Sequence, residues 1–259
     1  MRANRWIVPA ERLGPEIRRV YQEGVRAVKS GAKILIRGED GSGKKVMAAW
    51  LHEASPRADR PMVALSVTGI PESLIDEQFF GSRLPGAQIP EGALERAHRS
   101  TLMLDIIEYM KSEPLQKVVA AIDAGAVFPA GASAPVPADV QLLMTVEINP
   151  WAENEADRRR HEHIQLVDVE LTLPPLRERR ADIRLLAEHF ANRQREYDGR
   201  PPVTLTTAAM ELLEDCLWGM NILELKAAVQ GAAILCPGSE IGLEFLPRTL
   251  ARGTPEKKT

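Results

Sequence analysis

Residues 33–54 read KILIRGEDGSGKKVMAAWLHEA and fall into three parts. The first, residues 33–37, is short and rich in isoleucine, which predicts a strand. The last, residues 46–54, repeats apolar residues at helical spacing. Between them, Gly38, Gly43 and Lys44 have the spacing of a phosphate-binding loop, whose backbone N–H groups surround phosphates while the lysine reaches their oxygens. We therefore predict a strand, a phosphate loop and a helix; a glycine-rich turn with an exposed lysine is the alternative.

Strand and helix patterns alternate around this segment. Further strands are predicted at residues 62–67, 101–107, 140–146 and 167–173, and helices at 14–31, 71–80, 94–97 and 115–122. Such alternation predicts an α/β fold, an αβα sandwich with a mainly parallel sheet, over residues 1–174. After Pro174-Pro175 the strand pattern stops. Helical patterns at 182–197, 206–217 and 221–235 predict a small all-helical domain over residues 175–248, followed by a flexible tail at 249–259. Thr206 and Thr207, just before an apolar run, predict an N-cap for the second of these helices.

Composition excludes several classes of protein. The 33 Lys and Arg against 36 Asp and Glu leave a formal charge of −3, so no global basic field attracts nucleic acid or acidic lipid. Cys216 and Cys236 are far from metal-ligand spacing and suit a reducing cytosol. No stretch approaches the roughly 18 apolar residues of a membrane span, and the N-terminus lacks a signal-peptide core. We expect a cytoplasmic protein that makes no membrane contact and does not bind DNA directly.

Five segments, in order along the chain, resemble one family. They read ILIRGEDGSGKKVMAAWLHEASPRADRPMVAL, IPESLIDEQFFG, GALERAHRSTLMLDII, LTLPPLRERRADIRLLAEHF and WGMNILELKAAVQGAAILCPGSEIGLEFLP. This sequence resembles the AAA+ domain of bacterial sigma-54-dependent transcriptional activators over nearly its whole length. The resemblance implies a nucleotide-binding αβα domain with a helical lid, assembled as a ring with ATP between subunits. The implied nucleotide-binding residues are Gly38, Glu39, Asp40, Gly41, Ser42, Gly43, Lys44, Lys45 and Asp105, with Asp105 matching the Walker B aspartate that helps to hold Mg²⁺.

Two positions that carry chemistry in that family differ here. Ile106 stands where the family has the glutamate that polarises the attacking water, and its side chain cannot accept a proton. An extended strand would place Glu108 about 10 Å further along, so we do not expect it to substitute. Lys45 stands where most phosphate loops, rather than this family in particular, place a Ser or Thr hydroxyl on Mg²⁺; its ammonium contacts phosphate directly or points to solvent.

Further departures concern the γ-phosphate and sigma-54. Glu147 replaces a nucleotide-sensing asparagine, and Leu223 replaces an arginine of the lid and is expected in the core. The surface loop whose GAFTGA tip engages sigma-54 reads SRLPGAQIPE here, so we do not expect the usual engagement. In the segment aligned with the paired arginine fingers, Arg159 falls at the first position and Gln165 at the second.

The remaining clusters have less specific interpretations. His161-Glu162-His163 is expected to be a surface charge cluster rather than a metal site, because no third ligand is near in sequence. The segment Arg177 to Arg180 is equally compatible with a solvated helix start and with a place near the nucleotide. The short stretches before Ile7 and after Pro247 leave no room for a receiver or a helix-turn-helix, which predicts a stand-alone protein.

Together these departures predict a degenerate member of the family, a pseudo-ATPase without catalytic residues. We expect it to bind ATP or ADP and to hydrolyse ATP poorly, with Mg²⁺ binding left open. It would act as a transcription-related regulatory or assembly module through a protein partner, either an intact AAA+ paralogue or a second copy of itself. The alternatives are an active ATPase that remodels sigma-54 RNA polymerase, and a structural interaction protein that binds no nucleotide.

Overall fold

The computed structural model describes residues 7–148 and 165–250. Within them the chain divides into two compact units. The first, which we call the sheet unit, comprises the described residues of 20–38 and 44–172. The second, which we call the helical unit, comprises the described residues of 7–19, 39–43 and 173–250. Of the loop that the sequence marks as phosphate-binding, residues 39–43 group with the helical unit, while Gly38 and Lys44 group with the sheet unit.

The sheet unit is built on five parallel strands. In chain order the strands are β1 (Ile34–Gly38), β2 (Val63–Ser66), β3 (Ser100–Asp105), the short β4 (Ala126–Val127) and β5 (Val136–Pro137), β6 (Val140–Glu147) and β7 (Val169–Thr172). The five longer strands pair in the order β2-β3-β6-β1-β7, every pairing being parallel, while β4 and β5 form a separate antiparallel pair. All six residues of β3 are buried, as expected for a central strand of a parallel sheet covered on both faces.

Helices cover both faces of this sheet. They are α1 (Pro15–Lys29), α2 (Lys44–Glu53), α3 (Ile75–Phe80), α4 (Ala93–Arg96) and α5 (Ser112–Ala124). Leu102 and Leu104 of β3 share a buried cluster with Phe79, Leu94 and Leu115 of α3, α4 and α5. On the α1 and α2 side, a Cβ at Gly24 would lie within 3.0 Å of Leu51 and Leu171 side chains. The predicted αβα sandwich is confirmed.

Three helices make up most of the helical unit: α6 (Arg180–Tyr197), α7 (Thr207–Asp215) and α8 (Asn221–Leu235). The Thr206 hydroxyl accepts a hydrogen bond from Ala209 N at 3.1 Å and caps α7, as its position in sequence predicts. A two-residue parallel pair, β8 (Thr204–Leu205) with β9 (Glu240–Ile241), was not predicted. Among the described helices, none is long and apolar enough to cross a membrane.

Two predicted elements have different bounds in the structure. The strand predicted over 101–107 ends at Asp105, and a 3-10 helix follows at Ile107–Tyr109. The helix predicted over 71–80 begins as a 3-10 turn at Glu72–Leu74 before α3. The first difference matters for the site, because it changes where the residues after Asp105 lie.

Candidate functional site

The glycine-rich loop joins the end of β1 to the start of α2. Gly41 has a φ of 69° and Gly43 a φ of 104°, conformations that glycine adopts without steric penalty. Lys44, the first residue of α2, is buried, and its Nζ donates to the Gly38 carbonyl at 2.9 Å. The strand, glycine turn and helix thus occur where the sequence predicts them, with the loop lysine folded over the end of β1.

Three successive carbonyls of this loop are held within the helical unit. Asn221 Nδ2 donates to Asp40 O at 2.8 Å, Ile222 N to Gly41 O at 3.0 Å, and Arg179 Nη2 to Ser42 O at 2.6 Å. Since the C=O and N–H of a trans peptide point in opposite directions, the N–H of Gly43 points away from Arg179. The loop backbone is therefore fixed from its carbonyl side.

The first loop side chain, Glu39, is paired inside the helical unit. Arg177 donates to both of its carboxylate oxygens, at 2.5 and 2.8 Å, and this hydrogen bonding raises the pKa of Arg177. Asn221 Nδ2 lies 3.2 Å from Glu39 Oε2. A bidentate guanidinium–carboxylate pair fixes orientation as well as charge. Glu39 is thus held by Arg177 on the carbonyl side of the loop.

The Arg177 to Arg180 segment lies partly against the loop. Arg177 and Arg179 both contact the loop, whereas Arg180 pairs with Asp215 at 2.9 Å on an exposed surface. Burial lowers the pKa of Arg179 to about 10, against the opposing field of Asp182. Two of the arginines therefore position the loop, and sequence alone left that role undecided.

Asp105 lies at the carboxyl end of β3, and both of its oxygens are engaged. Thr145 Oγ1 donates to Oδ1 at 2.5 Å. Lys45 Nζ lies 2.5 Å from Oδ2; the Asp105 side chain is 3% exposed and that of Lys45 is 65% exposed. The sequence left two options for Lys45, phosphate or solvent, and its contact with Asp105 was neither of them.

Magnesium does not fit the groups around Asp105. Mg²⁺ takes oxygen ligands in near-octahedral geometry, yet one oxygen of Asp105 holds the Thr145 hydroxyl and the other an ammonium. The predicted Mg²⁺ ligand is thus occupied by protein donors.

The chain turns sharply after Asp105. Ile106 has φ 60° and ψ 53°, a left-handed conformation that is unfavourable for a β-branched residue. Glu108 is folded back and buried, and its Oε1 accepts a hydrogen bond from Glu147 N at 3.1 Å. Our expectation that Glu108 continues an extended strand is wrong, because the strand ends at Asp105. Nothing in the apolar run LMLDII marks this turn.

Two replaced positions can also be placed. Glu147 pairs in register with Gly38 between β6 and β1, so it lies at the carboxyl end of β6, beside the point where the loop begins. Leu223 is 52% exposed, so its expected burial in the core is wrong. In the first turn of α8 it is Asn221, two residues earlier, that is buried instead. Arg159 and the cluster at 161–163 lie outside the described residues.

The segment that aligns with the sigma-54-engaging loop is short and is held by hydrogen bonds at both ends. Ser82 N donates to Ile89 O at 3.0 Å, which closes the loop on itself. Arg83 Nη2 donates to both oxygens of Glu95, at 2.6 and 2.7 Å. The tip between these contacts is only six residues long, from Arg83 to Gln88.

Comparison with known proteins assigns the family. Residues 12–170 match the model of the sigma-54 interaction domain, and residues 177–259 match the AAA+ ATPase lid domain. The chain belongs to the sigma-54 interaction domain family. The resemblance inferred from the sequence is therefore confirmed. In this sigma-54 interaction domain, sequence reasoning did not single out Thr145, which bonds to Asp105, or Asn221, which bonds to the loop.

Relatives of this domain are transcriptional regulators. It is 34% identical to the response regulator protein PilR of Pseudomonas aeruginosa, over 88% of this chain and 52% of that protein. It is 34% identical to the transcriptional regulatory protein ZraR of Salmonella typhimurium, over 94% of this chain and 56% of that protein. The chain thus spans about half the length of these curated relatives.

Solved structures show the same fold. The crystal structure of NtrX from Brucella abortus in complex with ADP matches with a TM-score of 0.80 and 25% identity, over 98% of this chain and 57% of that one. The crystal structure of NtrX from Brucella abortus in complex with ATP matches with a TM-score of 0.77 and 25% identity, over 92% of this chain and 56% of that one. An α/β fold with a mainly parallel sheet and a helical lid is therefore shown for this chain.

Proposed function

We propose that this domain binds ATP or ADP through Gly38 to Lys45, hydrolyses ATP slowly at most, and acts in transcription regulation through protein partners. The glycine conformations at 41 and 43, and the placement of Lys44 at the start of α2, support phosphate binding. The similar crystal structures of NtrX in complex with ADP and with ATP support the choice of nucleotide. The domain boundaries 1–174, 175–248 and 249–259 remain part of this proposal.

The proposal that ATP is hydrolysed slowly rests on the side chain of Ile106. It follows Asp105 directly and presents a hydrocarbon side chain where the family has a proton acceptor. Loss of a single transition-state contact commonly lowers turnover about 10²- to 10³-fold. With Leu223 and Glu147 also replacing polar γ-phosphate contacts, we propose that several such losses are combined in this chain.

A phosphate-release assay tests this proposal directly. We expect the wild-type domain and Lys44→Ala to release phosphate at equally low rates, because the wild type lacks the base. Calorimetry with ADP should show saturable heat for the wild type and none for Lys44→Ala. Brisk turnover that Lys44→Ala abolishes would refute slow hydrolysis, and an absence of heat with both ATP and ADP would favour the nucleotide-free interaction protein.

A second candidate function, an active ATPase that remodels sigma-54 RNA polymerase, is favoured by one observation. The buried Glu108 carboxylate lies at the carboxyl edge of the sheet, bonded to Glu147 N, and could act as the base in place of residue 106. Glu108→Gln separates the two functions. Glu108→Gln leaves the low hydrolysis rate of a pseudo-ATPase unchanged but removes turnover in an active enzyme. The surface variant Glu72→Gln is the control and leaves the hydrolysis rate unchanged in both cases.

The protein partner that we propose is another AAA+ domain. The short loop closed by Ser82 and Ile89 argues against the usual sigma-54 contact, so we propose an intact AAA+ paralogue or a second copy of this chain, in the cytoplasm and without direct DNA contact. Size-exclusion chromatography with light scattering, with and without ADP, tests self-association. A monomer under every condition would leave only a different partner, to be tested by mixing with an intact family member.

A further inference from the structure

The groups around the Asp105 carboxylate include a positive charge from the same unit. Lys45 is the second residue of α2 and Asp105 the last residue of β3, and both lie in the sheet unit. Their contact places an ammonium against the carboxylate that would otherwise face a divalent cation. Thr145 and Ile106 N complete the surroundings, since the Thr145 hydroxyl donates to Asp105 and accepts from Ile106 N at 3.1 Å.

We propose that the Lys45 ammonium substitutes for Mg²⁺ in this domain, so that it binds metal-free nucleoside diphosphate or triphosphate rather than the magnesium complex. The proposal rests on the proposed nucleotide binding. A buried carboxylate requires a counter-charge, and Lys45 supplies it from within the chain. An incoming Mg²⁺ would meet the like charge of the Lys45 ammonium beside Asp105 Oδ2, which disfavours the metal at this position.

The exposure of Lys45 fits this role. Its side chain is 65% exposed although its ammonium touches a side chain that is 3% exposed. An ammonium in that position can contact an anion in solvent while it still neutralises Asp105, since it has three donors. Lys44, folded over Gly38 O, supplies a second positive charge beside the loop. The two lysines can then offset phosphate charge without a metal.

The test is calorimetric titration of the full chain with ADP, once in EDTA and once in excess Mg²⁺. For the wild type we expect excess Mg²⁺ to leave the apparent dissociation constant unchanged or to raise it, because Mg²⁺ draws free ADP into the magnesium complex. For Lys45→Thr, which removes the ammonium and offers a hydroxyl ligand, we expect Mg²⁺ to tighten ADP binding by about tenfold or more. Lys45→Arg should behave as the wild type, because it keeps the charge.

A matched control is Lys117→Thr, which removes an exposed lysine paired with Glu113 at 3.0 Å on α5, in the same unit. It should leave both dissociation constants unchanged. Circular dichroism checks that Lys45→Thr folds, and the wild-type comparison stands by itself if it does not. Wild-type binding that Mg²⁺ tightens tenfold overturns the inference alone. An absence of ADP binding in both buffers overturns the proposed nucleotide binding, and the metal substitution with it.

Discussion

Gly41→Ala should destabilise the helical unit far more than an alanine at an equivalent glycine elsewhere in it. Gly41 has φ +69°, and a Cβ placed there would lie 2.2 Å from the Met220 carbonyl oxygen. Gly199, at the end of α6, has φ +67° with nothing within 4 Å of its would-be Cβ. The two substitutions therefore share the backbone penalty of alanine in the left-handed region, about 1–2 kcal/mol, and differ in the steric clash.

The magnitude at Gly41 follows from what must move. The Met220 carbonyl would have to shift by roughly 0.8 Å to reach even the 3.0 Å that real Cβ contacts respect. The next residue, Asn221, is fully buried, so the shift disturbs its bond to Asp40 O and that of Ile222 N to Gly41 O. Each disturbed bond costs about 1 kcal/mol or more, which brings the expected loss to about 3–5 kcal/mol.

Urea unfolding followed by circular dichroism measures both variants. We expect Gly199→Ala to lose about 1–2 kcal/mol and Gly41→Ala to lose at least about 2 kcal/mol more than that. Equal losses would show that the loop moves away from Met220 at no cost, and would refute the idea that residues 39–43 are fixed by the helical unit.

Three further outcomes are expected. Asn221→Ala leaves Leu176 N and Asp40 O without their partner and should lower the free energy of unfolding by about 2–4 kcal/mol. The control Asn192→Ala, which removes a bond from Val203 N and an exposed bond to Glu188 O, should cost about 1 kcal/mol. Burial lowers the pKa of the His52 imidazole below its ordinary 6.5. As the pH drops from about 7 to 5, the unfolded chain therefore binds a proton more readily than the folded chain, and the urea midpoint should fall. His52→Gln should flatten this dependence of the midpoint on pH. Burial raises the pKa of Cys216 to about 11, so mass spectrometry should show its alkylation at pH 8 to be roughly 100-fold slower in the native than in the denatured chain.

Much of the fold follows from local sequence patterns. The β1 strand, the glycine loop and α2 are marked by isoleucines, by glycines at the required spacing and by the apolar repeat up to Ala54. The Thr206 cap is equally local, because a hydroxyl three residues before a backbone N–H has a fixed geometry. Such features need no knowledge of distant residues, which is why they could be predicted.

The parts of the site that could not be predicted depend on distant residues. Lys45 meets Asp105 only because β3 lies two strands away from β1 in the sheet, an order that local periodicity does not specify. Asn221 and Arg179 reach the loop from more than 130 residues away. The turn at Ile106 contradicts the preference of a β-branched residue, so local propensity predicted a longer strand instead.

Lys45 and Ile106 affect the same reaction at different steps, and their effects on turnover should therefore not add. A carboxylate introduced by Ile106→Glu could orient water, yet an ATP bound without a metal would lack the charge that Mg²⁺ places between its β- and γ-phosphates in family chemistry. Conversely, Lys45→Thr would free Asp105 for Mg²⁺ while leaving no base beside it. If Lys45 substitutes for the metal, neither change alone restores hydrolysis. Only the double variant combines a free Asp105 carboxylate with a base at position 106.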